Sequence, residues 1–140
     1  MSKAFTARCE CGGLKVICKS TPDSLVQCHC SDCKARTGSP FGLGAYFQAG
    51  QFEIHGVSKR FVRKASSGAD FTQFFCPACG TTLFWKTARH PDGLGVAAGN
   101  FLDLPDTPPS RSVFDDDRCA WLAPLNIPTF RKGRNSERLE

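Results

Sequence analysis

No run of about 18 uncharged apolar residues occurs anywhere in the chain, and its opening segment, MSKAFTARCECGG, lacks an apolar core long enough for a secretory leader. These absences argue against a membrane partner and predict a soluble, unexported, cytoplasmic protein. Helical periodicity is missing as well: no window of about a dozen residues repeats its apolar positions at the helical spacing. The 9 Pro and 13 Gly are spread out rather than gathered into a linker, and there is no internal repeat. A single domain over residues 1–140 is therefore expected, ordered from about 5 to 131. The closing stretch RKGRNSERLE is charged and has no apolar face, so 132–140 are expected to fray. Nothing in the sequence speaks to oligomeric state.

What the chain does contain is a series of short segments with apolar character at every other residue, bounded by Gly, Pro, Ser or Asp. They run Leu14 to Cys18, Phe41 to Phe47, Phe52 to His55, Phe61 to Arg63, Phe71 to Phe75, Thr82 to Trp85, Gly95 to Ala98 and Ser112 to Phe114. This pattern predicts an all-β fold. The one helical candidate is a turn in SDCKARTG, with Ser31 placed to cap it and Gly38 to stop it. ARHPDG has the chemistry of a turn, and LDLPDTPPSR that of a Pro-broken loop.

The 9 cysteines are odd in number and sit in a chain without export signals, so a disulfide framework is the wrong reading and metal binding the better one. In CPACG, Cys76 and Cys79 have the spacing of two ligands to one tetrahedral ion, and Gly80 allows a tight turn. CECGG supplies the other half: Cys9 and Cys11, two apart, face the same side of an extended segment. Together they are expected to form a closed four-thiolate structural zinc site, buried free thiols being the alternative. Cys28, Cys30 and Cys33, three cysteines in six residues, then stand without an obvious fourth. Three protein ligands and an open position is the arrangement of a working zinc, with water or substrate as fourth ligand; Cys18, Cys119 or a histidine completing the shell is the alternative. Cys18 and Cys119 read as small core residues, and His29, between two ligands, as a residue that supports the ligands from behind or sits at the rim of the site, facing away from the ion. Seven bound thiolates and two dications would bring the formal charge of +5 down to about +2, which weakens any case for a specific nucleic-acid partner.

CECG, then CHCSDCKARTGSPF, then FCPACGTTLF, followed by GNFLDLPDTPPS and WLAPLNIPTF, resemble the glutathione-dependent formaldehyde-activating enzyme and centromere protein V family over nearly the whole chain. The resemblance implies stacked antiparallel sheets, similar to the zinc fold of methionine-R-sulfoxide reductases. It implies two zinc ions per chain, with Cys9, Cys11, Cys76 and Cys79 as structural ligands and Cys28, Cys30 and Cys33 as active-site ligands. The implied activity is that of a carbon-sulfur lyase, S-(hydroxymethyl)glutathione synthase-like, joining glutathione to formaldehyde.

The chemistry of the ligands agrees. Three thiolates leave a zinc centre singly negative, so it acidifies water less than a three-histidine zinc does and suits a soft sulfur donor. A substrate thiol held as thiolate can add to an aldehyde. Lys34 and Arg36 are placed to meet the carboxylates of glutathione, or are simply solvated charges; Thr37, Gly38 and Ser39 either donate at the site's edge or form a plain turn. Two other classes remain: a non-catalytic zinc-binding interaction module using Lys59, Arg60, Arg63 and Lys64 around Phe61, and a redox protein using Cys18 or Cys119.

Overall fold

The structure, a computed structural model, describes residues 4–139. Its strands, in chain order, are β1 (Phe5–Arg8), β2 (Lys15–Cys18), β3 (Ser24–Cys28), β4 (Gly42–Phe47), β5 (Phe52–His55), β6 (Lys59–Lys64), β7 (Asp70–Phe75), β8 (Thr82–Thr87), β9 (His90–Ala97), β10 (Arg111–Val113), β11 (Thr129–Phe130) and β12 (Arg138–Leu139). The one α-helix, α1, spans Ser31–Thr37. The fold is all-β, as the alternation predicts, and no helix among the described residues is long and apolar enough to cross a membrane. Two compact units form: Met1–Asp23 with Ala45–Pro105, and Ser24–Gly44 with Asp106–Glu140.

In the first unit, β1, β2 and β5 make a three-stranded antiparallel sheet. Its register pairs Phe5 with Cys18 and Ala7 with Val16, and all four side chains are buried. Because side chains alternate between faces, a slip of one residue would turn this whole set outward, so burial fixes the pairing. Stacked with it are the antiparallel strands β6 to β9, where Leu83, Phe84 and Trp85 are buried in succession. Three consecutive buried residues mean that β8 is covered on both faces. ARHPDG is less of a turn than its composition suggests. Only Ala88 and Arg89 turn, while His90 to Gly93 already belong to β9 beside a register shift between Trp85 and Thr87.

The second unit departs from the antiparallel expectation. β10 pairs in parallel with both β3 and β11; the chain between β3 and β10 runs over 29–110 and that between β10 and β11 over 114–128, each long enough for the crossover that parallel pairing needs. In the closing segment β12 returns antiparallel to β11, and Arg131 Nε lies 2.8 Å from Glu137 Oε2. A tail with no apolar face is held here by backbone pairing and charge.

α1 starts one residue earlier than its sequence implies. Its N-cap is Cys30, whose sulfur accepts the Cys33 N–H at 3.4 Å; Ser31 is already helical. The helix stops at Gly38 as expected, with φ of 69° and its N–H on the Lys34 carbonyl at 2.7 Å.

Candidate metal centres

In the first unit the loop after β1 and the loop after β7 bring four sulfurs together. Those of Cys9, Cys11, Cys76 and Cys79 all lie within 4.8 Å of one another. The Cys9–Cys11 and Cys11–Cys76 sulfur separations are 3.6 and 3.7 Å. An ion at about 2.3 Å from four tetrahedral sulfurs would set them roughly 3.8 Å apart, so the donor set fits a zinc-sized tetrahedral ion. Both loops turn through a glycine at φ of 81°, Gly12 and Gly80, a conformation that a side chain would strain. The Leu14 N–H reaches the Cys9 sulfur at 3.2 Å, and the Thr81 hydroxyl lies 3.2 Å from that of Cys79 while accepting the Glu10 N–H. Thr81 thus joins the two halves.

These contacts set the charge state. The Thr81 hydroxyl, then its N–H, hold the Cys79 thiol down to about 5. Burial works to raise Cys9, but the Leu14 N–H and the thiols of Cys11 and Cys76 bring it below its ordinary value. The Gly13 N–H works to lower Cys11, yet the thiols of Cys9, Cys76 and Cys79 outweigh it and push it up to about 11. Four crowded thiols cannot all ionise against one another; a dication supplies the charge that lets them.

In the second unit the sulfurs of Cys28, Cys30 and Cys33 likewise lie within 4.8 Å of one another, and all three residues are half-buried. The end of β3 delivers the first, the N-cap the second, and the first turn of α1 the third. Hydrogen bonds from the thiols of Cys28 and Cys33 hold Cys30 far below its ordinary value, while hydrogen bonding to Cys30 and Cys33, with burial, pushes Cys28 up. Among the described residues no fourth Cys, His, Asp or Glu joins this group.

Other expected participants fall into place around these sets. Lys34 is tied down, its ammonium donating to the Asp117 carbonyl at 2.5 Å. Arg36 lies against the cluster: a Cβ added at Gly42 would come within 2.6 Å of Arg36 Nη2 and 3.2 Å of Cys33 Cβ. Gly42 is thus the small residue that lets the guanidinium and the helix carrying Cys33 pack closely, a role with no local sequence signal. The Thr37 hydroxyl donates to the Cys33 carbonyl and accepts the Ser39 N–H, so these residues terminate the helix. Cys18 is fully buried as predicted, and burial with the Asp103 charge pushes its thiol up to about 12. Cys119 is only half-buried, not core, and its neighbour Trp121 is 72% exposed. His29 is not at a rim: it is 1% exposed, packs against Phe41 at 5.9 Å, and belongs to neither sulfur cluster.

Comparison with known proteins adds two findings. The sequence profile of a family described as glutathione-dependent formaldehyde-activating enzyme matches residues 4–117. A crystal structure of a Rhodobacter sphaeroides protein aligns at a TM-score of 0.52 and 16% identity, covering 72% of this chain and 91% of that one; at such identity the likeness concerns the fold alone. No curated protein gives a significant match.

Proposed function

Because the chain belongs to the glutathione-dependent formaldehyde-activating enzyme family, we propose that it is a zinc enzyme of the carbon-sulfur lyase type. In this reading it joins the thiol of glutathione to formaldehyde at Cys28, Cys30 and Cys33. The observation that carries the reading is the incomplete donor set: three sulfurs gathered within 4.8 Å, and no fourth protein ligand among the described residues. A zinc ion there would hold the substrate sulfur in its thiolate form, the nucleophilic state of a thiol. Zinc at the Cys9, Cys11, Cys76 and Cys79 site is structural, since protein sulfurs saturate it.

The chain's own residues do the rest. The Cys30 sulfur accepts the Cys33 N–H and is fixed by it. Arg36 sets a cation beside a cluster that gains negative charge as the substrate thiol loses its proton, and it is the candidate partner for a glutathione carboxylate. Lys34 instead braces α1 on Asp117 and serves the substrate less directly. In the reaction the sulfur lone pair forms the new carbon-sulfur bond, the carbonyl π pair moves onto oxygen, and that oxygen takes up a proton to give the hydroxymethyl thioether. No oxidant or reductant is consumed.

An interaction role has one observation in its favour. On β6, Phe61 and Val62 are 54% and 50% exposed among basic residues. Two of those cations are used within the protein, Lys64 pairing with Asp70 and Arg63 stacking 3.9 Å above Phe71, so the lyase reading is preferred. It is tested by following S-hydroxymethylglutathione formation from labelled formaldehyde by exchange spectroscopy. The zinc-loaded protein should accelerate the reaction and Cys30→Ser should return it to the uncatalysed rate. No acceleration by the loaded parent would contradict the assignment.

A further inference from the structure

Among the described residues four polar side chains are buried: Gln27, His29, Ser112 and Thr129. They are not scattered through the chain. Gln27 is registered with Ser112 across β3 and β10, and Ser112 with Thr129 across β10 and β11, so these three project from one face of the ladder. The His29 N–H on the Val113 carbonyl, at 3.2 Å, carries the ladder one residue beyond β3, and His29 falls two residues after Gln27, on that same face. Cys28, registered with Val113, faces the other way. One short strand therefore offers a ligand sulfur to one side and a buried imidazole to the other.

A buried polar face needs partners, because an unsatisfied group loses its hydrogen bonds to water without replacement. The Thr129 hydroxyl has one, donating to the Ile127 carbonyl at 2.9 Å. His29 Nδ1 and Ser112 Oγ, both fully buried, have none among the described residues. They are diagonal neighbours on one face, with the Gln27 amide beside both, and buried water in folded proteins typically makes two to four bonds to such groups.

We propose that His29 is a positioning residue for the three-thiolate site: His29 Nδ1 and Ser112 Oγ share a buried water, and this anchor fixes the segment that turns the sulfurs of Cys28 and Cys30 toward Cys33. The inference rests on the zinc reading given above. It also accounts for a polar ring in the middle of the ligand segment where an apolar one would pack at no cost in hydrogen bonding.

Zinc affinity, measured for each site by competition with a chromophoric chelator, tests it without reference to turnover. His29→Phe keeps a ring of similar size and removes both nitrogens; it should weaken the three-thiolate site about tenfold or more while the four-thiolate site keeps its ion. Ser112→Ala, which removes a single hydroxyl, should weaken the same site severalfold, and His29→Gln should recover part of the loss. Affinities within twofold of the parent, or equal weakening of both sites, would overturn the inference. Should His29→Phe fail to fold, Ser112→Ala decides alone. A parent that binds one zinc only would sink the zinc reading and this inference with it, whereas a parent that binds two, with unchanged variants, sinks the inference alone.

Discussion

Cys76→Ser is expected to leave the protein largely unfolded, whereas Cys30→Ser should melt close to the parent. The four-thiolate cluster ties the loop after β1 to the loop after β7, and its Cys9 and Cys76 are buried. Structural zinc contributes an apparent ~10–16 kcal/mol in small zinc peptides, which is as large as the whole net stability of a typical domain, about 5–15 kcal/mol. Removing one ligand also leaves three crowded thiols behind. Cys28, Cys30 and Cys33 lie within six residues, so closing that loop restrains little of the unfolded chain. Serine at position 30 also retains an N-cap acceptor for the Cys33 N–H. Thermal melts combined with elemental analysis check both halves, with one zinc expected in the folded Cys30→Ser protein. Equal destabilisation by the two changes would mean that both sites are structural.

Glutathione should bind the zinc-loaded protein on the order of 100-fold more tightly than its S-methyl form, a difference of ~2.7 kcal/mol. A thioether cannot lose a proton and so cannot serve as the anionic fourth ligand, while every other contact of the tripeptide is retained. Because the thiol must ionise, binding releases a proton. Affinity should therefore fall as pH falls, and the calorimetric enthalpy should vary with the ionisation enthalpy of the buffer. Matched affinities for the two forms would place glutathione away from the metal, and the lyase assignment would not survive that result.

The cysteine clusters were legible in the sequence because each half of a site is local: C-x-C, C-x-x-C and C-H-C-x-x-C state their own spacing. The joining of Cys9 and Cys11 to Cys76 and Cys79 is not local, and only the need for four ligands suggested it. Strands with one apolar face were equally readable, and β5 falls on the predicted Phe52 to His55. β3 escaped because it is buried on both faces and carries Gln27 on one of them, which destroys the alternation. β11 and β12, of two residues each, are too short to show any period. Ser31 looked like the cap because hydroxyls usually are; the thiol of Cys30 takes the position because the chain must also deliver that sulfur to the cluster. Cys119 looked like core from its neighbour Trp121, but an aromatic residue identifies an interior only when it is itself buried, and this one is not.

X-ray absorption at the zinc edge, with and without glutathione, tests the central claim most directly. If one ion is held by four cysteine sulfurs and the other by three, the resting protein should show a mean of roughly 3.5 sulfurs per zinc, with a light atom completing the shell. Saturating glutathione should raise that mean to about 4 as a substrate sulfur replaces the light atom. A mean of about 4 before glutathione is added, or a mean that glutathione leaves unchanged, would contradict an open three-thiolate site.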